Sequence, residues 1–334
     1  MIDVFFVGNF LSKKTGTYPV SENVSKELQK KGFTTQLCSI INNRILRLID
    51  IISSSLFVRY KIMHIDIYSG PAFIISEFSS KIAELRSKKI IMTLHGGNLP
   101  TFFKANRNRI ESVFNRADYI QTPSLSLQQF FLKNDIKINY LPNPIDLEKF
   151  PFLRKNIKSK SLLWVRAFSN IYNPELAIRT LFELRKTYSD VTLTMIGPDK
   201  GNLPKVQKLI QSLDLTSVVY LIGPVNNELL YKYYQSHEVF LNTTSIESFG
   251  VAVVEAASCG IPIVSTPVGE LTLLWKHEEN ILFANKDPKS FAEQIKRLFA
   301  SKELKLDLSN SARKRIEEFD LDNIIKDWDN ILSK

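Results

Sequence analysis

Twice along this chain, short apolar runs alternate with stretches of helical periodicity, and a proline-rich break separates the two series. Ile2–Val7, Thr34–Ile40, Ile62–Tyr68, Ile90–Leu94, Tyr119–Thr122 and Ile138–Leu141 read as strands of the first series. Val20, Val24, Leu28 and Lys31 follow helical spacing between the first two. Such a βα rhythm suits a parallel sheet. The segment PNPIDLEKFPF, Pro142–Phe152, interrupts it with three prolines and reads as a linker or the entry to a second domain. The rhythm resumes with strands at Leu162–Val165, Val191–Ile196, Val218–Ile222, Val239–Leu241 and Ile261–Ser265. A helix over Pro174–Lys186 carries proline in its first turn, where the missing amide proton costs nothing. The expected fold class is α/β, with two Rossmann-like, doubly wound domains facing an interdomain cleft. Residues 1–150 form the first and 151–310 the second, and a terminal helix over 311–334 is expected to cross back to the first. Open parallel sheets bind ligands beyond the carboxyl ends of their strands. No GxGxxG run follows the first strand, so a dinucleotide-dependent dehydrogenase is disfavoured.

The charge is uneven. Residues 1–150 carry 20 Lys/Arg against 12 Asp/Glu, whereas the remainder carries 24 against 22. A basic surface attracts anionic partners, but neither zinc-finger spacing nor an RNA-recognition signature is present, so no nucleic-acid partner is expected. An anionic membrane surface fits better. Arg44, Arg47, Arg59 and Lys61 bracket the apolar LIDIISSSLF, and Phe102, Phe103, Lys104, Arg107 and Arg109 form a second aromatic-basic cluster. Peripheral docking is one expectation, and a buried helix with a solvated basic flank is the other. Cys38 and Cys259 lack metal-ligand spacing, and the opening MIDVFFVGNF lacks the basic leader of a signal peptide. A reducing cytoplasm is the expected compartment, extending to the inner face of the membrane.

The segment NTTSIESFGVAVVEAASCGIPIVSTPVGE, Asn242–Glu270, carries the densest chemistry. Glu247 and Glu255 flank a glycine-containing helix start. Eight residues of continuous helix span about 12 Å, enough for the two carboxylates to address different parts of one extended ligand. The amides of Ser248, Phe249, Gly250 and Val251 at that start are suited to phosphate oxygens. Gly250 permits close backbone approach, and Gly260 reads as the helix-stop glycine. Gly269 and Glu270 either shape a loop over a bound ligand or form an ordinary turn. Arg166 emerges from a strand in WVRAFSNIYNPELAI, and His95 ends a strand in LHGGN. The loop around Gly16 joins the first strand to the first helix, which begins near Glu22. Two further loops, Gly197–Gly201 and Gly223–Leu230, each follow a strand and are candidate walls of a ligand pocket. His64, His237 and His277 lack ligand spacing, and the DLD of Asp320–Asp322 reads as a helix cap, so no metal is expected.

The order of paired glutamates, glycines and following strand in ESFGVAVVEAASCGIPIVSTPVGE resembles glycosyltransferase family 4, over nearly the whole chain and most strongly from Leu162 to Glu270. The resemblance implies the GT-B fold and a retaining hexosyl transfer from a nucleotide-sugar donor, UDP- or GDP-linked, to an acceptor hydroxyl. Neither a cofactor nor a catalytic metal is implied. The second domain is expected to bind the donor and the first a saccharide or lipid-linked saccharide acceptor, in assembly of a cell-surface glycan. Glu255 matches the family glutamate on the ribose hydroxyls, Glu247 the one near the transferred sugar, and Arg166 the arginine that neutralises the diphosphate. His95 matches the family histidine near the donor sugar and phosphate. Gly16 stands where many members have paired glycines facing phosphate, and Gly197 and Val225 match segments near the nucleotide. Asn173 adds an amide contact. The family's usual lysine six residues after Arg166 is replaced by Tyr172, which supplies no charge near neutral pH. That departure keeps a non-catalytic nucleotide-sugar-binding or scaffolding protein in view, beside a sugar-nucleotide epimerase on the same fold.

Overall fold

The computed structural model describes residues 1–10, 19–154, 156–247 and 249–333. The chain divides into two units, Met1–Pro144 with Leu321–Lys334, and Ile145–Asp320.

In the first unit the strands are β1 (Ile2–Val7), β2 (Thr35–Cys38), β3 (Tyr60–Ile67), β4 (Lys89–Leu94), β5 (Tyr119–Thr122) and β6 (Asn139–Tyr140). They pair in parallel in the order β2-β1-β3-β4-β5-β6. The helices are α1 (Val20–Lys30), α2 (Arg44–Phe57), α3 (Phe73–Leu85), α4 (Leu99–Ala105), α5 (Arg107–Phe114) and α6 (Leu125–Leu132). Successive strand residues point to opposite faces, and both faces are covered. Phe5, Val7, Met63, Ile65, Met92 and Leu94 pack with Phe73, Phe103 and Phe131. Val4, Phe6, Ile62 and Ile91 pack on the other side with Val24 and Leu28 of α1. The sheet order makes β1 and β3 neighbours, so the crevice rule for doubly wound sheets points to their carboxyl ends.

The second unit has β7 (Ser161–Val165), β8 (Thr192–Ile196), β9 (Val219–Gly223), β10 (Val239–Asn242), β11 (Ile263–Ser265) and β12 (Leu282–Phe283). These form a parallel sheet in the order β12-β11-β10-β7-β8-β9. Its helices are α7 (Pro174–Arg185), α8 (Leu203–Ser212), α9 (Asn227–Ser236), α10 (Val251–Cys259), α11 (Leu271–Leu274), α12 (Pro288–Ala300) and α13 (Lys302–Ile316). The winding reverses between β7 and β10. β12 is too short to register as an apolar run in the sequence. The boundary between the units falls inside the proline-rich segment, after Pro144, and from Ile145 on the segment is a built part of this unit. Phe150 is buried, and Ile145 donates its amide to the Phe319 carbonyl at 2.8 Å. Gly260, in the left-handed region at φ +75°, ends α10 where a Cβ would stand 2.5 Å from the Phe152 ring.

The tail is two helices rather than one. After α13 a short 3-10 turn, Glu317–Phe319, leads to α14 (Leu321–Ser333), which packs in the first unit. Ile324, Ile325, Trp328, Ile331 and Leu332 join the cluster of Val4, Phe6 and Leu28. Trp328 lies 6.4 Å from the Phe6 ring and edge-on to His64 at 5.1 Å. Lys89 caps the helix, donating to the Ile331 carbonyl at 2.8 Å. Truncating a buried aromatic removes transfer energy and leaves a cavity. Trp328→Ala is therefore expected to destabilise the chain by about 3–5 kcal/mol. A loss below about 1 kcal/mol in denaturant unfolding would show that α14 contributes little to this core.

Candidate functional site

In the second unit, β7 and β10 deliver polar groups to the switch point. Arg166 follows β7, its amide tied to the Ile196 carbonyl at 3.0 Å. Its Nη2 donates to Glu247 Oε2 at 2.5 Å and to Asn242 Oδ1 at 3.3 Å, and both charged side chains are largely buried. The Tyr172 ring lies 5.3 Å from the guanidinium carbon. Arg166 Nε is buried and has no hydrogen-bond partner among the described residues. The loop from Thr243 to Glu247 is stapled from several sides. Thr243 Oγ1 accepts from Trp164 Nε1 and donates to the Tyr172 carbonyl, at 2.9 and 2.8 Å. The Ser245 amide donates to the Ile171 carbonyl at 2.7 Å. Asn173 adopts a left-handed conformation, φ +47°, immediately before Pro174 opens α7.

Glu247 lies outside α10, which begins at Val251. The expected continuous helix between the two glutamates is broken because Gly250 takes φ +86°, and a Cβ there would stand 2.8 Å from Leu271. Phe249 is buried and Val251 exposed beside it, and no side chain among the described residues caps the helix start. Glu255 sits deeper than a surface ribose contact would require. It is buried and accepts the Tyr234 hydroxyl at 3.0 Å. Burial pushes its carboxyl up to about 7, against the opposing pull of Tyr234, Arg166 and Asn227. The same burial, with the Glu255 charge, holds the Tyr234 phenol well above its ordinary range.

Gly197 is buried after β8, where a Cβ would fall 1.9 Å from the Arg166 carbonyl oxygen, so the position admits no side chain. In the same turn Asp199 accepts the amides of Gly201, Asn202 and Leu203, capping α8. Val225 is half-buried in the loop after β9 that leads to Asn227 and so to Glu255. Glu270 is buried, and its amide donates to the Glu247 carbonyl at 3.1 Å. Gly269 approaches the same carbonyl too closely for a Cβ. Gly16 and Ser248 lie outside the described residues.

In the first unit, His95 follows β4 with its amide on the Ile67 carbonyl at 2.9 Å. Its Nε2 meets Asp66 Oδ1 at 3.0 Å, and its ring stacks on Tyr68 at 5.2 Å. Glu22 of α1 is paired with Lys26 at 3.3 Å. Asp66, Asn242 and Tyr234 were not singled out in the sequence. Asp66 left a signal, a lone acidic residue near the end of the YKIMHIDI strand around His64; Tyr234, in a helix among other tyrosines, left none.

The two basic clusters differ. On α2, Ile45, Leu46, Ile49 and Phe57 are exposed, Phe57 at 81%. Two cations of that cluster are occupied locally: Arg47 of α2 donates to the Ile41 and Asn42 carbonyls, and Lys61 of β3 pairs with Asp3. The Phe102–Arg109 cluster is not an interfacial face. Phe103 is in the core, Arg109 grips Glu77 with two bonds of 2.6 Å, and Arg107 pairs with Glu111. Among the described residues no helix is long and apolar enough to cross a membrane, and no group of three His, Cys, Asp or Glu could hold a metal ion.

Comparison with known proteins agrees with this architecture. The model of the family described as glycosyl transferases group 1 matches residues 146–315. A D-inositol 3-phosphate glycosyltransferase of Paenarthrobacter aurescens is 28% identical over 198 residues, 55% of this chain and 48% of that protein. The match thus spans about half the length of that relative. Sucrose-phosphate synthase from Thermosynechococcus elongatus superposes with a TM-score of 0.79 at 16% identity, covering 99% of this chain and 98% of that one. Anabaena HepE, solved in complex with UDP and glucose, gives 0.78 at 14% identity with both chains fully covered. At such identities the likeness is one of fold, and the fold is that of the GT-B glycosyltransferases. With its whole switch-point loop inside the matched region, the chain belongs to the glycosyl transferases group 1.

Proposed function

We propose that this glycosyltransferase retains configuration, moving a hexosyl group from a UDP- or GDP-linked donor to an acceptor hydroxyl. The observation that carries this reading is the Arg166–Glu247 pair at the β7/β10 switch point, beside the start of α10. Arg166 and the α10 amides face the donor diphosphate, where fixed positive charge stabilises the leaving group as its bond to the anomeric carbon breaks. Glu247 orients the sugar and meets the positive character that develops on it. Glu255 takes the ribose hydroxyls, the Gly197 turn and the Val225 loop flank the nucleotide, and His95 is assigned to the transferred sugar. The departing phosphate oxygen receives the acceptor's proton in a front-face displacement, so no enzyme nucleophile is required. HepE, crystallised with UDP and glucose, supports the donor class.

Arg166→Ala should weaken binding of the nucleoside diphosphate by about 1.5–3 kcal/mol, the worth of a charged hydrogen bond, and lower turnover as well. The nucleoside alone should bind almost as before. Tyr172→Phe keeps the ring against the guanidinium and should change little. Calorimetry with nucleoside, monophosphate and diphosphate separates these contributions. Equal losses for all three ligands in Arg166→Ala would reject a phosphate-specific role.

Glu255 gives a pH signature. Its folded value near 7 lies above the 4.5 of a free glutamate, so its contribution to stability is intact below about pH 4.5 and is lost as pH rises through about 7. The loss is on the order of 3 kcal/mol. Glu255→Gln should escape it, becoming more stable than the wild type at pH 8.5 but not at pH 4.5, while binding nucleoside more weakly. Denaturant unfolding at the two pH values, with nucleoside titration at the higher, checks both signs. A variant destabilised at both pH values would sink the assignment.

The exposed α2 face supports a lipid-linked saccharide acceptor, reached by adsorption to anionic membrane in assembly of a cell-surface glycan. Ile45, Ile49 and Phe57 supply apolar contact and Arg44 the charge. Vesicles rich in anionic lipid should sediment the wild type at low salt, and Ile49→Asp/Phe57→Asp should abolish this. A wild type that stays in the supernatant would leave a soluble acceptor.

A further inference from the structure

The β1/β3 switch point of the first unit holds a polar cluster of which the proposed mechanism uses only His95. Asp66, near the end of β3, is buried beneath α1. Its Oδ1 accepts the Ser21 hydroxyl at 2.7 Å and faces His95 Nε2 at 3.0 Å. Gly8, just beyond β1, makes room for the carboxylate, since a Cβ there would stand 2.8 Å from Asp66 Oδ2. Burial alone would raise the Asp66 carboxyl, but its contacts with the His95 ring and the Ser21 hydroxyl hold it below the usual range.

The remaining neighbours settle which way the hydrogens run. Gln121 Nε2 donates to Thr93 Oγ1 at 3.0 Å. The Thr93 hydroxyl hydrogen is then available to His64 Nε2, 2.7 Å away. Burial holds the His64 imidazole down at about 4, so the ring is neutral with its hydrogen on Nδ1. That nitrogen stands 4.0 Å from Asp66 Oδ1, too far for a bond but with the favourable polarity. Trp328 closes the far edge of His64. Asp66 is thus an acceptor surrounded by donors, and it has no proton to return to His95. A neutral imidazole has one N–H. With that hydrogen committed to Asp66, Nδ1 is left as an acceptor, on a ring pinned by Tyr68 and still 17% exposed.

We propose that Asp66 is a positioning residue that fixes His95 as the Nε2–H tautomer, so that Nδ1 accepts a hydrogen bond from a substrate hydroxyl instead of donating one to the diphosphate. The substrate part of this inference rests on the transferase reading above; the tautomer does not.

The test is nitrogen NMR of the full chain labelled at its four histidines, with His95→Gln assigning the signal, at an alkaline pH where imidazoles are neutral. The wild type should show a pyridine-type Nδ1 and a pyrrole-type Nε2 at His95. An Nδ1–H tautomer overturns the proposal. In Asp66→Asn the new amide can donate to Nε2, so the hydrogen should move to Nδ1, and kcat should fall about 10²–10⁴-fold with the donor KM changed only a few-fold. Adding Asp66→Asn to His95→Gln should cost nothing further. An unchanged tautomer and kcat in Asp66→Asn, or additive losses in the double variant, also overturn it. Should Asp66→Asn fail to fold, the wild-type spectrum still decides the tautomer, and Ser21→Ala should loosen it in part. A wild type with the expected tautomer but no turnover on any nucleotide sugar would sink the transferase reading and leave the positioning role standing.

Discussion

A parallel sheet covered by helices on both faces leaves almost nowhere to keep a charge except beyond the ends of its strands. Both sheets of this chain obey that constraint, and strand order then decides which end matters. Where β7 and β10 lie side by side, the chain leaves them toward opposite faces and a crevice opens at their carboxyl ends. Arg166 follows the first of these strands, Asn242 ends the second, and Glu247 stands in the loop beyond. The first unit repeats the logic with β1 and β3, where Gly8 yields space to Asp66 and His95 comes in from the neighbouring β4. Two independent sheets thus concentrate their buried polar chemistry at the positions their winding dictates.

The buried polar groups of the second unit are not arranged for the stability of the chain alone. Among the described residues Arg166 Nε is buried without a partner, at a cost of about 1–3 kcal/mol for an unmet donor. Glu255 is held where its charged form is disfavoured. Such groups are retained in a fold when something else compensates them, and in the proposed reading the donor diphosphate is the partner for the unmatched Arg166 donor. In the proposed reading these charges stand in place before the ligand arrives, so little reorganisation is left for the moment of reaction. Gly197 and Gly269 serve the same end by letting backbone press against Arg166 and Glu247.

The fold was legible because its strands are apolar, short and regularly spaced, and because the second half carries a dense motif. What the sequence concealed follows from the same physics. β12 has two residues and no periodicity to reveal it. The break at Gly250 was hidden because glycine tolerates both a helix start and a left-handed turn, and only the contact with Leu271 decides between them. Phe102–Arg109 looked amphipathic, but its cations find Glu77 and Glu111, one of them far away in sequence. Asp66 and Tyr234 gain their meaning from neighbours in other elements, Ser21 and His95 for one and Glu255 for the other. A linear pattern holds no record of such pairs.

Tyr172 shows how a departure from a family pattern acquires a physical account. The position usually filled by a lysine contributes here a ring against the Arg166 guanidinium and a carbonyl that accepts from Thr243. Arg166 is consequently held on three sides, by Tyr172, Asn242 and Glu247. A fixed guanidinium loses less entropy on binding than a free lysine would, because its rotamers are already restricted. The proposed site therefore exchanges a second cation for a better-ordered first one. Its hold on a diphosphate is correspondingly more directional and less dependent on long-range charge, since a single partly buried guanidinium acts through aligned hydrogen bonds that salt screens weakly.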